Sequence, residues 1–126
     1  MVYINSQSFP AEYLKTPEEI TNGMMGRKTL EGCMVFKVGK GHHSFWMKNC
    51  LIPLDIVFVL NGRISQIHQN CPVPDPHTMN PPKYSGMADH VIEFPAGTAT
   101  NWKSGDKVSM YLGSPLNPVS KNYSQY

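Results

Sequence analysis

Apolar residues in this chain fall in short runs separated by turn-forming residues. One run, Ile56-Val57-Phe58-Val59-Leu60, has no polar break. Runs of this length bounded by Gly, Pro and Asn read as strands, and a continuous run reads as a strand covered on both faces. The clearest element is a hairpin: residues 54–60, then Asn61-Gly62, then residues 63–68. Asn-Gly takes readily to the two positive-φ positions of a tight hairpin turn. Residues 34–38 and 44–48 read as two strands around a Gly39-Lys40-Gly41 loop. Residues 90–94 read as a strand turned by Pro95-Ala96-Gly97, and residues 107–112 as a last strand after the Gly105-Asp106 turn. Residues 1–15 form an extended opening segment with one or two short strands. Residues 71–82 are too rich in proline to hold a central strand and read as a long loop.

One helix has a mechanism written in its first turn. Thr16-Pro17-Glu18-Glu19 is a capping box: the Thr16 hydroxyl accepts from an early helical N–H and Glu19 reaches back to the cap. Pro17 stands where its missing donor costs nothing. The helix is expected to end near Gly26, with Ile20 and Met24 on its apolar face.

Composition narrows the picture further. Eleven prolines and ten glycines in 126 residues mean many turns, so the chain is expected to be a single, mainly β domain over residues 1–113. From residue 114 the chain becomes polar and proline-spaced, an extended tail without core-forming content. The net charge of +2 and a pI near 8.4 are mild, and the basic residues are scattered singly. Nothing in that pattern points to nucleic acid. No run approaches the roughly 20 apolar residues of a membrane span. The first residues lack a charged leader and an apolar signal core. A chain that is neither exported nor membrane-bound is therefore expected, with its three cysteines as free thiols.

Candidate chemistry centres on Phe45-Trp46-Met47-Lys48-Asn49-Cys50 and Ile52-Pro53-Leu54-Asp55, a bend at the mouth of a buried strand. Arg27, Trp46, Lys48, Asn49, Asp55 and Glu93 are the ligand-binding candidates. As a site, Arg27 and Lys48 would hold an anionic group, Asn49 would orient it, and Asp55 or Glu93 would accept protons or hydroxyls. As structure, the same residues would pair with one another and tie the helix end to the hairpin. The structural reading has the greater weight, because buried polar groups are normally satisfied internally. Trp46 and Met47 alternate sides on a strand, and Trp46 is the one expected in the core. An aromatic at a groove rim would instead suit a sugar or a peptide.

His68, Cys71 and His77 are weak metal candidates, with His42, His43 and Cys50 further off. Their spacing matches no zinc signature, so no metal and no cofactor are expected. The eight methionines are scattered and read as packing. Cys50 lies beside the cation Lys48, but no base is placed next to it, so an enzyme is the less favoured reading.

Several motifs together resemble the domain of unknown function 192 family: Gly23-Met24-Met25-Gly26-Arg27, Met34-Val35-Phe36, Phe45-Trp46-Met47-Lys48-Asn49, Ile52-Pro53-Leu54-Asp55, Glu93-Phe94-Pro95-Ala96-Gly97 and Gly105-Asp106. The likeness runs from about residue 12 to residue 112. It implies a small antiparallel β-sandwich or distorted barrel with one short helix, and no established activity. Relatives usually have Thr where this chain has Cys50, and many carry an export signal or lipid anchor. Compact leaderless relatives are encoded by tailed phages, which this chain resembles more. That likeness implies a non-enzymatic particle component in the host cytoplasm or the phage particle, docking on other protein subunits. Pro115, Pro118, Tyr123 and Tyr126 of the tail are the candidate docking residues. The alternatives are a ligand-binding domain with a polar groove around the Trp-Met-Lys-Asn bend, and a metal- or thiol-dependent enzyme.

Overall fold

A computed structural model describes residues 1–111. The tail candidates Pro115, Pro118, Tyr123 and Tyr126, and the far end of the expected last strand, lie outside the described residues. In chain order the elements are β1 (Val2–Ile4), β2 (Gln7–Phe9), β3 (Ala11–Leu14), α1 (Pro17–Asn22), β4 (Cys33–Trp46), β5 (Leu54–Leu60), β6 (Arg63–Cys71), β7 (Lys83–Pro95) and β8 (Val108–Met110). The domain is mainly β, with one short helix, as the turn-rich sequence predicts.

The strands form two sheets of unequal size. The smaller has the order β2-β1-β8 and the larger β3-β4-β7-β5-β6. The larger sheet ends on β3 and β6, so no barrel closes. All pairings are antiparallel except β3 with β4. That parallel pair follows from connectivity: α1 and the segment after it carry the chain back to the start of the sheet, as a crossover must.

Asn61 and Gly62 take φ of 53° and 76°, and Leu60 pairs with Arg63 across the turn. Two neighbouring expectations are corrected. The loop at residues 39–41 does not break the chain into two strands. Instead β4 runs through it, and three residues (38–40) stand opposite Asp89 alone. Such extra residues are tolerated as a bulge because the ladder resumes on either side. The helix also ends earlier than Gly26: the cap is Gly23, with φ of 40°, while the capping box of Thr16 and Glu19 forms as expected.

Alternation along the central strands sorts side chains onto two cores. Cys33 and Val35, Val57 and Val59, and Ile92 and Phe94 face the small sheet, where Val2, Ile4 and Val108 cover them. Met34 and Phe36, Ile56 and Phe58, and Val91 face the other way, where Met24, Met47 and Cys50 cover them. This explains why residues 54–59 are all buried: β5 has a layer on each side. Glu93 lies on the second face, between Val91 and the end of β7, opposite Met34 and Ile56 on the flanking strands. No helix among the described residues is long and apolar enough to cross a membrane.

Candidate functional site

The bend between β4 and β5 begins as a four-residue turn. The Cys50 N–H donates to the Met47 carbonyl at 3.0 Å, and Asn49 takes φ of 60°. Asn tolerates that left-handed conformation better than most side chains, which accounts for its place there. The Gly26 N–H donates to the Asn49 carbonyl at 2.9 Å, and Met25 bridges to Cys50. The end of the helical segment is thus fastened to the bend by backbone.

A pocket of about 230 Å³ opens between them. Residues 20–25 form one wall, Phe36, Phe45 and Trp46 another, and Lys48, Cys50 and Glu93 complete it. Gly23 is favoured here by contact as well as by φ: a Cβ would come within 3.1 Å of the Phe36 ring, which would have to yield by a few tenths of an ångström. Phe36 in turn meets Phe45 edge to face at 5.0 Å, which fixes the aromatic wall.

Glu93 is the unusual member. It is 3% exposed, and among the described residues it has no hydrogen-bond or ion-pair partner. Among the described residues no fully enclosed side-chain oxygen or nitrogen lacks a partner, so the Glu93 carboxyl group keeps a narrow contact with the pocket. Burial pushes its pKa up to about 8, since charging it there forfeits hydration. At neutral pH Glu93 is therefore mostly a carboxylic acid.

The other candidates are distributed differently. Asp55, fully buried, accepts from the N–H groups of Asn70 at 2.8 Å, Gly97 at 3.1 Å and Ala99 at 2.8 Å. It fastens the bulged end of β6 to the turn after β7 and follows the structural reading. Arg27 forms a two-pronged ion pair with Glu12, both contacts at 2.7 Å, on the surface. The expected pairing of Arg27 with Asp55 or Glu93 is corrected: its guanidinium is taken by Glu12 of β3 on the surface, while both other acids are buried. Trp46 is also corrected: it is 38% exposed, and Met47 takes the core position at 1%. Chain alternation put one of the two inside, and the slimmer thioether fits beneath the helix. Lys48 and Lys83 place their ammonium groups 5.1 and 5.7 Å from the Trp46 ring centre.

His68, Cys71 and His77 do not converge. The His68 ring bonds the Ser85 carbonyl at 2.9 Å, the Cys71 thiol donates to the His68 carbonyl at 3.4 Å, and His77 lies exposed on the proline-rich loop. No group of three or more His, Cys, Asp or Glu suited to a metal occurs among the described residues. All three cysteines are free and buried. Burial pushes Cys50 and Cys71 up to about 11 and Cys33 up to about 12, the opposite of an activated nucleophile.

The pocket residues that sequence reasoning passed over are Phe36, Phe45, Ser44 and the 20–25 wall. Phe36, Phe45 and residues 23–25 lie in motifs that carry the family likeness, but nothing local says that they meet around Glu93.

Comparison with curated proteins finds none that matches. Two solved structures are similar. A protein of unknown function from Novosphingobium aromaticivorans DSM 12444 shares 34% identity with a TM-score of 0.69, over 81% of this chain and 75% of that one. A candidate transcription regulator from Sinorhizobium meliloti 1021 shares 28% identity with a TM-score of 0.65, over 79% of each chain. The model of the DUF192 family, described as "Uncharacterized ACR", matches residues 1–110, and the chain belongs to that family.

Proposed function

We propose that this domain is a non-enzymatic binding module whose recognition site is the pocket between the 20–25 segment and the Trp46–Cys50 bend. One observation carries the reading. A carboxyl group that is almost wholly buried, with no partner among the described residues, opens into a cavity walled by aromatic and thioether side chains. Burying such a group without a partner costs several kcal/mol by general estimates. Supplying the missing partner from a ligand offsets that cost. The three thiols, all raised by burial, offer no ready nucleophile. A fragment library screened by amide shift changes is expected to give hits centred on Gly23, Met24, Trp46, Lys48 and Cys50. Hits confined to other surfaces would overturn the reading.

The particle-component reading is the second proposal. It rests on the tail's composition, with Tyr123 and Tyr126 as contact residues, and on the resemblance of the Lys48-Asn49-Cys50 and Ile52–Asp55 run to that of phage-encoded relatives. It is compatible with a pocket that receives a neighbouring subunit. Deleting residues 114–126 is expected to abolish incorporation into particles. Normal incorporation would rule the arm out.

A further inference from the structure

Resting on the pocket reading, the arrangement of charge says what kind of molecule fits. Glu93 and Lys48 line the same cavity. They are not paired with each other: the ion pairs Arg27 with Glu12 and His90 with Asp89 involve neither of them. Lys48 is exposed, and its contact is the Trp46 ring. Glu93 lies deep, with the apolar Met34 and Ile56 as its cross-strand neighbours. Met24, Phe36, Phe45 and Trp46 line the same cavity.

An acid and a base that share one cavity without meeting leave room for a bridging molecule. We infer that the pocket takes a small zwitterion whose ammonium group pairs with Glu93 and whose anionic group pairs with Lys48, with an apolar segment between them. A lone cation would gain Glu93 but face Lys48. A lone anion would gain Lys48 but leave Glu93 without a partner. The negative faces of the aromatic walls favour the buried end as the cationic one.

Binding also moves a proton. Glu93, with its pKa raised to about 8 by burial, is mostly protonated at neutral pH. Pairing with an ammonium ion ionises it and releases the proton to solvent. The titratable and charged groups near it are Cys50 on the bend and Cys71 on β6, which couple to it electrostatically, and Lys48, which lines the same cavity. Cys50 and Cys71 are held as neutral thiols by burial, so neither competes for that step near pH 7.

Calorimetric titration of the full chain with ε-aminocaproate, hexylamine, caproate and hexanol tests the inference. The zwitterion is expected to bind about ten-fold or more tighter than any of the other three. Glu93→Gln should cost the zwitterion and hexylamine about ten-fold each and leave caproate unchanged. Lys48→Met should weaken the zwitterion and caproate but strengthen hexylamine. In the unaltered protein, zwitterion binding should release a proton, seen as an enthalpy that depends on the buffer. Glu93→Gln is isosteric and removes a buried ionisable group, so it should fold, and amide spectra would establish this. Equal affinity for all four probes, or tightest binding of caproate or of hexylamine, would overturn the charge pattern while leaving the pocket reading intact. Failure of every probe in this pocket, with fragments binding there, would also overturn it. Failure of the probes and of fragments alike would overturn both.

Discussion

Asp55 and Glu93 are both buried acids, and their environments give them opposite roles. Asp55 uses its oxygens on three backbone N–H groups, one from the bulged end of β6 and two from the turn after β7. Replacing it with Ala would strand three buried donors, and a loss of about 3 kcal/mol is expected in urea unfolding. A change within the noise of the measurement would mean that water replaces the carboxylate freely. Glu93 has no such donors. Its folded pKa of about 8 lies above that of an unfolded glutamate, so folding takes up a proton between the two values. That contribution is complete below the unfolded value and is lost as the pH rises through about 8. Relative to Glu93→Gln, the natural protein should therefore lose stability across that window, at up to about 1.4 kcal/mol per pH unit. Parallel pH curves for the two proteins would refute this. Sequence reading singled out both acids but had no means of separating them, since the distinction lies in which distant N–H groups arrive.

At the scale of elements, the pocket depends on how α1 stops. The Thr16–Glu19 box starts the helix and is readable from four residues, because every partner lies within one turn. The stop is not readable in the same way. Gly23 and Gly26 both have positive φ, at 40° and 74°, and either could have ended the helix. What distinguishes Gly23 is the Phe36 ring from β4, which a Cβ there would approach to 3.1 Å, closer than an ordinary contact. Gly23→Ala should cost about 2 kcal/mol, combining a strained φ with the clash, and should also displace the pocket wall. Gly26→Ala meets no neighbouring atom within 4 Å and strains φ alone, so it should cost less. An equal loss in both would mean that contact with Phe36 is unimportant. The β4 bulge teaches the same point. Gly39-Lys40-Gly41 reads as a loop locally, yet β7 pairs on both sides of it and keeps the strand whole.

For the whole molecule, the five-stranded sheet is covered on one side by the small sheet and on the other by the helix and bend. The thiols report on both interfaces: Cys33 belongs to the first core, and Cys50 and Cys71 to the second. All three should resist alkylation by iodoacetamide in the native protein and react together on global unfolding. Early labelling of Cys50 alone would instead reveal local opening of the pocket side. The sequence by itself determined the strand content, the Asn61-Gly62 hairpin, the helix start and the alternation that put one of Trp46 and Met47 inside. Those features depend on interactions between residues close in the chain. Only the tertiary structure decided that Met47 is the inner one, that Arg27 pairs with Glu12, and that Glu93 and Lys48 share a cavity. Each of these depends on which surfaces the sheet brings together, and nearby residues carry no record of that.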